Sequence, residues 1–157
     1  MPGLKDVRAS LEVGFPDGEL PERLAGFRGR TALAIDAAGE FPYEDAQFDV
    51  VMIDGKSVSA AMVKEAHRVL RPTGWLLFVV NERRSAGGGG YTMPEIYAMV
   101  RDGFNIMRAE RPSWWRFGRD RHTVLISAQK KNWRAYRGFS VGGGLALSPF
   151  HARRREK

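Results

Sequence analysis

The stretch FDVVMIDGKSVSAAMVKEAHRVLRPTGWLLFVV, residues 48–80, decides the fold. It begins with Phe48-Asp-Val-Val-Met-Ile53, an apolar run with β-branched residues that stops at Asp54-Gly55. Ser57 to Leu70 then places Val58, Ala61, Met62, Ala66, Val69 and Leu70 at intervals of three and four. That spacing puts one apolar stripe on an α-helix. Pro72-Thr-Gly74 stops the helix. Trp75-Leu-Leu-Phe-Val-Val80 is continuously apolar, too short for a lone helix and rich in strand formers. Such a run reads as a strand covered on both faces. Strand, helix and strand in this order make a crossover unit joining parallel neighbours.

Upstream, Leu11-Glu-Val-Gly14 is a short apolar alternation that ends in the turn residues Gly14-Phe-Pro-Asp-Gly18. Glu19 to Phe27 suits a short helix, with Leu20, Leu24 and Phe27 at helical spacing and Pro21 in the first turn, where its missing N–H costs nothing. Thr31-Ala-Leu-Ala-Ile35 is a buried-strand run ending in Asp36. Downstream, Gly87 to Gly90 is a loop. Thr92-Met-Pro-Glu95 has the hydroxyl and the acid of a capping box, opening a helix to about Arg101 that closes at Gly103. Asn105 to Arg111 and His122 to Ala128 are two further strands with no helix between them, which predicts an antiparallel pair.

Alternating strands and helices with doubly buried strands predict an α/β fold: a mostly parallel sheet flanked by helices. Ligands on such sheets sit beyond the C-terminal strand ends, where the strand order reverses. Gly14, Asp36, Asp54 and Glu82 all fall on that rim.

Composition narrows the function. The chain has 157 residues, 43% hydrophobic and 27% charged, a balance that suits one globular domain. It has no cysteine, so a disulfide framework, a thiolate metal site and a cysteine nucleophile are excluded. Three scattered histidines, His67, His122 and His151, give no metal-ligand spacing. No Ser-His-Asp set is argued by the order of residues. No apolar run nears the roughly 20 residues of a membrane span. The start of the chain lacks a secretory signal, so a cytoplasmic protein without membrane contact is expected. The net charge is +7, and residues 130–157 carry all of it: eight basic residues against Glu156 alone. Residues 1–129 form a neutral body, and 130–157 form a basic tail.

Three ordered motifs resemble one family. Asp36-Ala37 with Phe41-Pro42, then Phe48-Asp-Val-Val51, then Arg68-Val-Leu-Arg-Pro-Thr-Gly74 are similar to the pattern of class I S-adenosylmethionine (SAM)-dependent methyltransferases, closest to the type 11 group. The match spans about residues 31–129, and Thr73 stands where the family usually has Gly. The resemblance implies a Rossmann-like sheet, SAM as cofactor and methyl transfer to an acceptor that the sequence does not name. The family's first strand ends in Glu-x-Gly-x-Gly-x-Gly. Glu12-Val-Gly14-Phe-Pro16-Asp-Gly18 keeps the spacing, with Pro16 at the middle glycine. Pro removes an N–H and adds bulk where backbone must approach a ligand. Two alignments are open. In one, residues 12–18 are an altered SAM loop and Asp36 is the ribose-binding acid. In the other, Asp36-Ala37 is the adenine-contacting pair and the glycine loop is missing. Both leave the fold about one strand–helix unit short.

The cofactor-binding candidates implied are Asp36, Ala37, Asp54, Gly14 and Gly18, and no catalytic residue is assigned. Each has a plainer reading: Asp36 and Asp54 as acids capping turns, the glycines as turn residues. His67 falls on the polar side of its helix, a solvated position. Lys130, Lys131, Trp133, Arg134, Tyr136 and Arg137 interleave cations with rings, a mixture that binds single-stranded nucleic acid. A solubilising tail is the simpler account. Trp114, Trp115 and Phe117 would suit a substrate lid or a homo-oligomer surface. Two functions follow: a SAM-dependent methyltransferase, or a non-catalytic binding module derived from one, RNA-associated through its tail.

Overall fold

The computed structural model describes residues 7–15, 29–34, 40–55, 58–81, 90–110 and 123–132. Six strands form one sheet: β1 (Ser10–Val13), β2 (Arg30–Leu33), β3 (Phe48–Asp54), β4 (Leu70–Asn81), β5 (Phe104–Glu110) and β6 (Thr123–Lys130). Their order is β2-β1-β3-β4-β6-β5. The pairs β1–β2, β1–β3 and β3–β4 are parallel. The pairs β4–β6 and β5–β6 are antiparallel, the orientation that the sequence reading predicts for the last two strands. The expected α/β sheet, parallel with an antiparallel C-terminal pair, is the one observed. The helix expected over 19–27 lies outside the described residues.

Two helices among the described residues cross one face. In α1 (Ala60–Val69) the Ser59 hydroxyl accepts the Met62 N–H at 3.2 Å and caps the first turn. Its apolar stripe buries Met62, Val63, Ala66 and Val69. In α2 (Met93–Val100) the capping box forms as the sequence predicts. The Thr92 hydroxyl accepts from the Glu95 N–H, and the Glu95 carboxylate accepts the Thr92 N–H at 2.7 Å. Ile96 and Val100 face inward. These side chains close over Leu11, Val13, Val51, Ile53, Leu76, Phe78 and Ile126, the main core. The opposite face of the sheet holds a smaller apolar cluster of Val7, Val50, Met52, Leu77, Val79 and Leu125. Both faces of β3 and β4 are therefore apolar, which is why their sequences run apolar instead of alternating.

One boundary differs from the sequence reading. The helix stop at Pro72-Thr-Gly74 lies inside β4, because Leu70 already pairs with Phe48 and Trp75 with Val50. Four residues of β4, 71–74, thus stand against Asp49 alone, a bulge. Thr73 takes φ 64° there, a left-handed backbone that favours glycine, and Thr73 is where the methyltransferase pattern has one. Asp49 ties this bulge to the start of β1. Its carboxylate accepts the N–H groups of Arg8 and Ala9 at 2.9 and 3.0 Å and pairs with Arg71 at 2.6 Å.

Candidate functional site

The strand order reverses at β1. The chain goes from β1 to β2 on one side, then returns to place β3 on the other. The C-terminal ends of β1 and β3 therefore form the switch point, where open α/β sheets bind ligands. Val13 is in register with Ile53, so Gly14 and Asp54 come side by side on that rim. Gly14 has φ 76°, a conformation that glycine enters without strain, and its N–H donates to Leu33 O at 2.9 Å.

Asp54 closes β3 and is 1% exposed. Its side chain sits inside the rim and not on its surface. Gly55 follows with its α-carbon hard against β4. A Cβ there would stand 2.3 Å from Val79 O and 2.5 Å from Val80 Cγ1. The glycine of the Asp-Gly pair is thus explained by close strand packing. Asp36, Ala37 and Gly18 lie outside the described residues. Of the five cofactor-binding candidates, the structure brings together Gly14 and Asp54.

Two residues behind the rim were not marked as site residues by the sequence. Glu12, in the middle of β1, is 5% exposed. Arg30 at the start of β2 grips it with Nε and Nη2 at 2.5 and 2.9 Å, a two-pronged contact. The hydrogen bond to Glu12 raises the Arg30 pKa, so the guanidinium stays charged. Glu12 is the acid of the Glu-x-Gly spacing, and its partner lies 18 residues away across a parallel register. Only strand pairing could have revealed that partner.

Lys130 and Lys131, the described basic residues of the tail, both donate to backbone carbonyls of the body. The Lys130 ammonium donates to His67 O at 2.5 Å and Leu70 O at 2.6 Å, satisfying carbonyls at the end of α1. Burial lowers its pKa. Lys131 Nζ donates likewise to Arg101 O beyond α2. Trp133, Arg134, Tyr136 and Arg137 lie outside the described residues, as do Trp114, Trp115 and Phe117.

His67 departs from its expected place. Its side chain is partly buried: the ring sits edge-on to Phe104, centroids 5.4 Å apart, and Nε2 is buried without a hydrogen-bond partner among the described residues. Burial first, and the Lys130 charge second, push its pKa below the ordinary histidine value. The helical wheel missed this because Gly103 lets the chain pass beneath the ring. A Cβ at Gly103 would meet His67 Cδ2 at 2.8 Å. No group of three or more metal-ligating side chains occurs among the described residues. No helix among them is long and apolar enough to cross a membrane.

Neither a protein-family model nor a curated protein sequence matches the chain. Solved structures do. A SAM-dependent methyltransferase of Thermotoga maritima aligns over 80% of this chain and 83% of its own, at TM-score 0.55 and 20% identity. One from Methanosarcina mazei aligns over 80% and 92%, at TM-score 0.58 and 16% identity. The 1,6-didemethyltoxoflavin N1-methyltransferase of Burkholderia thailandensis, solved with that substrate and S-adenosylhomocysteine, aligns over 78% and 71%, at TM-score 0.54 and 19% identity. These likenesses establish a Rossmann-like sheet of the methyltransferase kind.

Proposed function

We propose that this chain binds SAM at the β1–β3 rim and transfers its methyl group to an acceptor. The observation that carries the reading is the pairing of a left-handed Gly14 with the end of β3 at the switch point. The residues present suit such a cofactor there, because a backbone bare of Cβ admits close approach. The order β2-β1-β3 favours the first alignment, in which residues 12–18 are an altered SAM loop following the strand next to the switch point.

When bound, SAM supplies an electrophilic methyl on a sulfonium. The work of this chain is to hold that sulfonium in line with an acceptor lone pair and to keep water away, since positioning dominates such a displacement. The Glu12–Arg30 clamp holds β1 against β2 and so fixes where Gly14 stands. On this reading Asp36 and Ala37 contact the adenosine part, Gly14 and Gly18 line the approach, and Asp54 supports the rim from within. The acceptor is a small molecule or a macromolecule.

A second reading is a binding module without turnover. Pro16 at the middle of the glycine spacing supports it, as a bulky ring without an N–H loosens the cradle. Calorimetric titration of the whole chain with SAM and with S-adenosylhomocysteine tests the cofactor step. Micromolar binding of both, lost in Asp36→Ala, is the expected result. Absence of heat with either ligand would overturn the methyltransferase reading and leave the module.

A further inference from the structure

At the end of the sheet away from the rim, three elements meet: the last turn of α1, the turn after α2 and the end of β6. Lys130 Nζ donates to His67 O and Leu70 O, which closes α1. The Lys131 N–H donates to Gly103 O at 2.9 Å, and the Lys131 ammonium donates to Arg101 O. His67 stands between these ties. Its ring is edge-on to the buried Phe104 ring. A Cβ at Gly103 would meet Cδ2 of that ring at 2.8 Å and Nε2 at 3.5 Å, so the imidazole lies directly over the bare α-carbon.

The closed junction suits a neutral imidazole. An imidazolium carries an N–H on both ring nitrogens. Here Nε2 is sealed from solvent with no hydrogen-bond partner among the described residues, so that N–H would be buried without an acceptor. The negative end of a helix ordinarily favours a protonated histidine in its last turn. The Lys130 ammonium already occupies that end. The other charges nearby are engaged elsewhere. On α1, Lys64 is exposed, and Arg68 holds Glu65 and Asp45 at 2.7 and 2.8 Å. Past α2, Arg101 and Asp102 are exposed and stand 3.6 Å apart. On β5, Arg108 and Glu110 pair with each other at 2.9 Å. Burial and the Lys130 charge both disfavour the imidazolium.

We propose that this junction is a proton-operated latch: neutral His67 holds the Gly103 turn closed against α1 and β6, and a proton on the imidazole drives the ring out to water and frees that turn together with the root of the basic stretch. A histidine disfavoured as a cation in the folded chain contributes stability above its unfolded pKa, about 6.5. That contribution is lost as pH falls through the lower folded value. The latch is therefore shut near neutral pH and opens on mild acidification. It does not depend on SAM binding, because neither Gly14 nor Asp54 belongs to the junction.

Amide hydrogen exchange of the full chain without ligand tests the latch, with protection factors compared at about pH 7.5 and about pH 5. The Lys131 amide should lose protection at least threefold at the lower pH. The Phe78 amide, at the centre of the sheet, should stay better protected than Lys131 at both. His67→Phe keeps a ring over Gly103 and takes no proton, so its Lys131 protection should change less than twofold. Unchanged protection in the parent, an equal loss in His67→Phe, or equal protection of Lys131 and Phe78 at the lower pH would each overturn the proposal. The parent gives a second reading that needs no variant. By NMR the His67 ring, identified by its proximity to Phe104, should titrate below the ordinary histidine value. Titration at or above that value would overturn the latch whether or not His67→Phe folds.

Discussion

The β3–α1–β4 unit and the β1–β2 edge share one sheet and are secured in different ways. In the first, strands of 7 and 12 residues flank a capped helix, and Arg68 on α1 gathers a whole segment to it. That guanidinium donates to Phe41 O and Tyr43 O at 2.9 and 2.8 Å and pairs with Glu65 and Asp45 at 2.7 and 2.8 Å. Glu65 in turn accepts the Phe41 N–H. At the edge, β1 and β2 have four residues each, and one ion pair, Glu12–Arg30, links their side chains. Among the described residues, a cluster of side-chain ties holds the unit, and the Glu12–Arg30 pair links the edge. The proposed ligand rim lies where the two meet, at the ends of β1 and β3, with the buried β1 between the unit and the edge strand.

The largest expected effect tests the secure half. Arg68→Ala removes donors from two carbonyls and two carboxylates at once, and should cost about 3 kcal/mol in urea unfolding. The same variant should change the acid limb. The Arg68 hydrogen bond, outweighing burial, lowers the Glu65 pKa, with help from the Phe41 N–H. A carboxyl with a depressed folded pKa contributes stability above its unfolded value, about 4.3, and that contribution disappears as pH falls through the folded pKa. Stability should therefore fall below about pH 4 in the parent chain and fall less steeply in Arg68→Ala. Equal acid limbs would show that the Arg68 cluster is not what holds this segment.

A smaller effect is expected at the edge. Arg30→Ala leaves the Glu12 carboxylate buried without its cation and should cost about 2 kcal/mol, moderated by the 40% exposure of the Arg30 side chain. Replacing both, as Arg30→Ala with Glu12→Leu, should restore part of the loss, because the penalty lies in the stranded charge. Denaturant midpoints of the two variants measure it. A double variant no more stable than Arg30→Ala would mean that the pair itself, and not the stranded charge, holds β1 to β2.

The secure half was also the legible half. Residues 48–80 gave strand, helix and strand because local periodicity and a doubly buried sheet leave an imprint in every window of the sequence. The Thr92–Glu95 box was legible for the same reason, as both partners lie within one turn. The β4 bulge was not, since a Pro-Thr-Gly run stops a helix and turns a strand with equal ease. The edge was legible only as motif spacing. Glu12 finds Arg30, His67 finds Gly103 and Lys130 finds the end of α1 through contacts 18 to 63 residues apart, which no local pattern encodes. Asp36, the candidate on which the sequence argument leaned hardest, falls outside the described residues. The rim is therefore carried by Gly14 and Asp54.

The smallest expected loss of stability separates the two halves most sharply. Gly14→Ala puts a Cβ on a backbone with φ 76° and should cost about 1 kcal/mol, the usual penalty of a left-handed alanine. On the proposed reading that Cβ meets the cofactor, so binding of S-adenosylhomocysteine should weaken at least tenfold, on the order of 1.4 kcal/mol. Arg68→Ala should show the reverse: a larger loss of stability, with binding intact in the fraction that stays folded. Urea unfolding and calorimetric titration of both variants make the comparison directly. If Gly14→Ala binds as the parent does while Arg68→Ala does not, the ligand belongs to the β3–α1–β4 unit, and the rim beside β1 is only a turn.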